Sequence, residues 1–240
     1  MLYYDIMVLE FVVALIILSL LADHLLYKGK YRNSTIEWGK SIVIPNPIER
    51  YNRLAEKYNA HTIVGRTPIG MTKTQKMNLP PSEDGSSFML WFKDTVGPTG
   101  GWKSLIHKGV INEERLPGVW LWPDQLKIHL KVDPDAIWNP GLILFDIPYT
   151  KDVWHHVAGT LNNKNQMVTF YVDGKKYNAK FKVPLNLNPK APLHFPDPWH
   201  VESVSNKGLY MAGLVWSPQV IPDSVIIAHR ELMKPKEFMV

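Results

Sequence analysis

Trp154 to Val183 constrains this chain more than any other stretch, because it spells three antiparallel strands and the turns between them. Val157 to Leu161 is the first strand, and Asn162 to Gln166 is a polar turn. Met167 to Val172 is the second. Successive side chains alternate across a strand, so Val168, Phe170 and Val172 point one way and Met167, Thr169 and Tyr171 the other. Asp173-Gly174 predicts a two-residue hairpin, since its primed turn needs positive φ, which glycine adopts freely. In the third strand Tyr177, Ala179, Phe181 and Val183 share one face, and Lys176, Asn178, Lys180 and Lys182 share the other. One apolar face and one wet face predict a sheet of a two-layer sandwich.

The rest of the chain supplies material for that sandwich. Its 240 residues suffice for a sizeable core. The 19 prolines and 15 glycines fall largely between short apolar runs, which favours an all-β fold with many turns. A further strand is expected at Leu209 to Trp216, with a short one at Thr62 to Val64 and another at Ser41 to Ile44. Leu126, Ile128, Leu130 and Val132 alternate with Lys127, His129 and Lys131, the pattern of a half-buried strand. Gly141 to Ile147 is a continuous apolar run, read as a more buried strand. Pro184 to Pro198 is too rich in proline for an interior strand. Asn46-Pro47-Ile48-Glu49 reads as a helix start, and Ile48, Tyr51, Leu54, Ala55 and Tyr58 form the apolar stripe of a helix over Pro47 to Tyr58. Asp223 or Ser224 is expected to cap a second helix, Val225 to Leu232.

The W-H-H-V-A-G-T-L run followed by V-T-F-Y-V-D-G-K comes after Phe88–Lys93, His107-Lys108-Gly109 and Pro117-Gly118-Val119-Trp120-Leu121. Together these resemble the laminin-G-like domains of the concanavalin A-like lectin/glucanase superfamily, from roughly Phe88 to Trp216. The resemblance implies an all-β, two-sheet antiparallel jelly-roll sandwich with strands at Phe88 to Lys93, Trp102 to Lys108 and Pro117 to Leu121. Outside it, the residues themselves divide the chain into a linker with a short amphipathic helix at 27–60, the sandwich over 61–233 and a tail at 234–240.

Ile6 to Ala22 is the most hydrophobic segment, with Glu10 its only charge. As a helix it would be about 25 Å long, on the short side for a bilayer. A cleavable signal peptide needs a basic start and a small-x-small site; Asp5, Glu10 and Leu20-Leu21-Ala22-Asp23 supply neither. Residues 1–26 are therefore read as one N-terminal transmembrane helix. Lys28, Lys30 and Arg32 follow it and none precedes it, which places the C-terminal bulk on the cytosolic side, with the basic residues near lipid headgroups. The absence of cysteine excludes disulfides and zinc-thiolate sites and agrees with a cytosolic face.

Little catalytic chemistry is on offer. Glucanases of this fold place alternate carboxylates on one strand face, and no Glu-x-Asp-x-Glu run occurs here. Glu113 and Glu114 are adjacent, so a strand would point them apart. The same geometry separates His155 from His156 as partners for one metal. No cofactor is expected. Asp94, Asp124, Asp133, Asp135 and Asp146 are the material for calcium, yet no single loop has the required density of oxygen ligands. Sugar binding wants an exposed aromatic platform with Asn or Asp beside it. Trp120, Trp122, Asp124, Trp138 and Asn139 offer one, as does Trp199 next to His200, although aromatic residues also fill cores. Lys164, Lys175, Lys176, Lys180 and Lys182 could form one basic patch; the net charge of +5 is too small to argue for nucleic acid.

Two readings follow. The first is a non-enzymatic, membrane-anchored structural protein of the kind large DNA viruses encode, a minor virion protein joining an internal membrane to capsid proteins. The second is a membrane-anchored lectin that binds glycans.

Overall fold

The structure, a computed structural model, describes residues 46–82, 84–133, 144–181, 187–200 and 206–235. The apolar segment 6–22, Lys28, Lys30, Arg32, the strand expected at Ser41 to Ile44, Asp135, Trp138, Asn139 and Lys182 lie outside the described residues. No helix among the described residues is long and apolar enough to cross a membrane.

Helix α1 (Pro47–Glu56) opens the described chain. Asn46 caps it by accepting from the Ile48 amide at 3.0 Å, as expected. Glu49 does not reach back to the cap; it pairs with Arg53 one turn on. Thirteen strands follow among the described residues, β1 (His61–Thr62), β2 (Ile69–Gly70), β3 (Lys76–Met77), β4 (Gly85–Asp94), β5 (Lys103–Lys108), β6 (Arg115–Leu121), β7 (Lys127–Asp133), β8 (Leu144–Pro148), β9 (His155–Asn162), β10 (Met167–Val172), β11 (Lys175–Lys180), β12 (Leu193–His194) and β13 (Leu209–Ser217), and helix α2 (Asp223–Leu232) comes after them. They form two antiparallel sheets. The first runs β1-β13-β4-β9-β10-β11, with β2 also on β13, and the second runs β3-β12-β5-β6-β7-β8. The chain is thus the all-β two-sheet sandwich expected.

The central hairpins take the predicted register, Phe170 opposite both Tyr177 and Gly159. Asp173 and Gly174 turn with φ of 51° and 86°, the two positive values a primed turn demands. Between the sheets lie Phe88, Leu90 and Phe92 of β4, Val157 and Leu161 of β9, and Val168, Phe170 and Val172 of β10, facing Leu105, Ile106, Val119, Leu121, Ile128 and Leu130. Each such side chain removed from water contributes about 1.5–3 kcal/mol. Gly159 is obligatory here, because a Cβ at that position would lie 2.4 Å from the Phe88 ring. A buried polar cluster joins the two sheets at one end of this core. Lys103 Nζ lies 2.7 Å from Asp94 Oδ1, both side chains almost fully buried, and the Tyr149 hydroxyl donates to Asp94 Oδ2 at 2.6 Å. Burial alone would raise the Asp94 pKa, but the hydrogen bonds from Lys103 and Tyr149 and the Lys103 charge hold it below the usual carboxylate range.

Four expectations are corrected. The outward side of the first sheet is not wet throughout: Tyr51 and Ala55 of α1 and Val225, Ile226 and Met233 in and after α2 pack on Met89, Ala158, Tyr171 and Val215. The run at Gly141 to Ile147 yields β8, an edge strand in which Ile147 is buried and Asp146 exposed. The proline-rich segment does contain an interior strand, since β12 pairs with both β3 and β5. It is only two residues long and fits between Pro192 and Pro196, neither of which has to donate to the ladder. Finally, α2 has Pro222 at its N-cap and no side-chain cap; Asp223 instead accepts from the Tyr171 hydroxyl and from Lys176.

Candidate functional site

The two outward faces of the sandwich differ. Helices cover that of the first sheet, whereas that of the second sheet is paved with rings. Cross-strand register places Ser104, Trp120, His129 and Asp146 in one row across β5, β6, β7 and β8. The adjoining row is His194, His107, Gly118 and Lys131. Gly118 is what allows the two rows to coexist. A Cβ there would sit 1.8 Å from the Trp120 ring, so the indole lies back along its own strand over the glycine.

Trp120 is not an exposed platform. It is 3% exposed, and its Nε1 donates to Asp197 Oδ2 at 2.7 Å. Asp197 belongs to a segment that crosses this face. Its buried carboxylate also accepts from the backbone amides of Trp199 and His200 at 3.0 and 2.8 Å and lies 3.5 Å from His107 Nδ1. Burial would push its pKa up; hydrogen bonds from His107 and His200 and their charge outweigh that and hold it far below the usual range. Asp197 thereby clamps Trp199 onto the His107 ring at 4.7 Å between centroids, with the indole 36% exposed.

Beyond this segment the face is only partly covered among the described residues. Trp122 is half-buried; its Nε1 donates to Asp146 Oδ1 at 2.7 Å, and His129 Nδ1 lies 2.8 Å from the same oxygen. Trp102 packs with tilted rings against both Trp122 and His129, at 4.9 Å between centroids. Burial lowers the His129 pKa more than Asp146 raises it, with Lys131 and Arg115 assisting, so at neutral pH the imidazole is uncharged and donates from Nδ1. The Asp146 side chain remains 31% exposed, leaving lone pairs available to a ligand's donors. Trp102, Trp122, His129 and Asp146 therefore form a half-exposed aromatic floor with a carboxylate at its margin.

The other expected site residues fare unevenly. Asp124 is exposed in the loop after β6, and Trp138 and Asn139 lie outside the described residues. The lysines do not form one patch. Lys175 lies over the Tyr177 ring, on the opposite side of β11 from Lys176, and Lys176 pairs with Asp223 at 2.9 Å. Lys164 and Lys180 sit towards the other end of the hairpin. His155 and His156 diverge as expected, to Asp173 at 2.6 Å and His229 at 2.9 Å. No group of three or more His, Asp or Glu residues with metal-holding geometry occurs among the described residues, and Asp94 is committed to Lys103 and Tyr149. Trp102, His129 and Asp197 were missed as members of this face. The alternation of β7 did put His129 outward; the missing signal was the register that joins it to Trp122 and Asp146.

No protein-family model matches the sequence, and no curated protein does. Among solved structures the fold is similar to a mutant of HCR/D, with a TM-score of 0.52 and 15% identity over 72% of this chain and 47% of that one. It is also similar to the CBM40 of Ruminococcus gnavus IT-sialidase bound to α2,3-sialyllactose, with a TM-score of 0.50 and 11% identity over 70% of this chain and 98% of that one. This chain thus spans about half the length of the first and nearly all of the second. At these identities the likeness establishes the fold, a two-sheet sandwich shared with domains of other sequence.

Proposed function

We propose that this chain is a non-enzymatic carbohydrate-binding protein that presents the open face of its second sheet to a glycan, tethered to a membrane by the apolar segment at 6–22. The observation that carries the reading is the cluster of Trp102, Trp122, His129 and Asp146. Indole rings offer flat apolar area to the C–H face of a sugar, and the exposed part of Asp146 accepts its hydroxyls. The CBM40 of similar fold is bound to a sialylated sugar, which supports the reading by analogy alone. The state of the carboxylates on this face supports binding rather than hydrolysis: Asp197 is sealed by four donors, and Asp146 is held by Trp122 and His129, leaving no opposed acid pair on this face among the described residues.

The test is a glycan array probed with the full chain in detergent micelles, alongside Trp122→Ala and Asp146→Asn. The reading expects a restricted set of glycans to be retained and both variants to lose them, with an unchanged thermal midpoint for Asp146→Asn. No retention above background overturns it. A virion-linking role would use the same face for protein, and capture of a capsid protein by wild type with loss in Trp122→Ala would favour that role instead.

A further inference from the structure

At the end of the sandwich where β4, β6 and β8 finish, four loops are hydrogen-bonded into one surface. Asp152 N donates to the Asp94 carbonyl at 2.9 Å, Tyr149 N to that of Leu126 at 3.0 Å, Gly100 N to that of Pro123 at 2.9 Å, and Thr95 N to that of Gly208 at 2.8 Å. The turn after β4 is built on the buried Asp94, whose Oδ1 accepts from the amides of Val96 and Gly97 at 3.2 and 3.0 Å. Three of these loops hold an aliphatic side chain outward: Val96 is 43% exposed, Leu126 38% and Val153 47%. Trp154 is half-buried next to Val153. The loops that carry Val96, Leu126 and Lys151 close on one another. A Cβ on Gly97 would lie 3.3 Å from the Lys151 side chain and 3.7 Å from Leu126, and one on Gly208 would lie 2.4 Å from Val96. Lys93, Lys127, Lys151 and Lys207 lie in or next to these loops in sequence, as do the exposed carboxylates of Asp124 and Asp152.

We propose that this end of the sandwich is a bilayer-docking surface, which seats Val96, Leu126 and Val153 among the headgroups of an anionic membrane. Exposed aliphatic residues scattered singly are ordinary. Here they lie on loops joined by hydrogen bonds, with the half-buried Trp154 following Val153, and the lysines of the same loops suit anionic lipid. Because Asp94, Lys103 and Tyr149 fix the loops beforehand, little order is lost on docking. The opposite end provides the comparison. Val110 and Ile111 are 57% and 45% exposed there, but residues 109–114 include no lysine or arginine, and of their two carboxylates Glu113 is half-buried and Glu114 buried, accepting from the Val110 amide.

The chain contains no cysteine, so single-cysteine variants of the full chain can each carry one nitroxide. Leu126→Cys, Val153→Cys and the control Val110→Cys are labelled and reconstituted into phosphatidylcholine vesicles with and without phosphatidylserine. Collision with oxygen, which partitions into lipid, and with a water-soluble nickel chelate is then read from the power saturation of each label. The expected result is high oxygen and low nickel accessibility at 126 and 153 in the serine-containing vesicles, a water-like label at 110, and a shift of 126 and 153 towards water in phosphatidylcholine alone. Water-like labels at 126 and 153 in both vesicles overturn the proposal. Shielding from both reagents overturns it too, since that means contact with protein, and equal lipid exposure at 110 overturns the assignment to this end.

Discussion

Acidification should unfold this protein through the two histidines that fasten α2 to the first sheet. His229 is fully buried, and its Nε2 lies 2.8 Å from the Gly213 carbonyl, so Nε2 carries the proton and Nδ1 accepts. His156 Nε2, 2.9 Å away, donates to that Nδ1. The arrangement needs both rings neutral. Burial pushes the His229 pKa from 6.5 down to about 4, and burial, His229 and nearby Arg230 hold His156 well below 6.5. A folded-state pKa below the unfolded one means that the unfolded chain binds the proton first. Stability is therefore complete above pH 6.5 and is lost as pH falls towards 4. Between pH 7.5 and 5 the His229 gap alone accounts for about 2 kcal/mol, approaching about 3 kcal/mol near pH 4. His155 opposes this: burial lowers its pKa, but the Asp173 and Thr150 hydrogen bonds raise it further, so it adds stability below 6.5. His129 and His194 act in the same direction as His229. The contribution of His229 is isolated by His229→Gln, whose amide can still donate to Gly213 but does not titrate. Urea unfolding of the full chain in micelles, followed by tryptophan fluorescence at a series of pH values, should show the wild type losing about 2 kcal/mol more than the variant between pH 7.5 and 5. Parallel curves would refute the reasoning, whatever the absolute stabilities.

Three further outcomes follow from packing. Gly118→Ala should displace the Trp120 indole, break its bond to Asp197 and cost about 1–3 kcal/mol, read as a lower thermal midpoint together with a more exposed Trp199. Lys103→Met should cost about 3–5 kcal/mol by leaving the buried Asp94 charge without its cation, and adding Asp94→Asn should recover part of that loss in chemical denaturation. Gly174→Ala should cost about 1 kcal/mol or more, because the position has a φ of 86° and a Cβ there meets Arg230 Nη1; near-wild-type stability in chemical denaturation would refute the backbone argument, since φ strain persists even where Arg230 gives way.

The sheets were legible in the sequence where an apolar face alternated with a polar one, as in β7 and β11; β4 and β9, buried on both faces, carry no such alternation. Where the reading failed, the cause lay in contacts distant in sequence. The outward side of β10 looked polar at Thr169 and ambiguous at Tyr171, and only the arrival of α2 decides that Tyr171 is buried against Ile226 and bonded to Asp223. Gly213, inside an apolar run, is the local mark of the bulge between Ala212 and Val215 that brings its carbonyl to His229, yet nothing in the run names the recipient. Trp120 and Trp122 make the same point at the candidate site. They stand two positions apart, are the same residue type and lie on the same side of β6. One is sealed and the other half-exposed because Asp197, 77 positions beyond Trp120, crosses over the first and stops short of the second. Alternation can assign a ring to a face; whether that ring meets solvent is decided by the segment that crosses it, so the binding surface is a property of the topology and not of the local sequence.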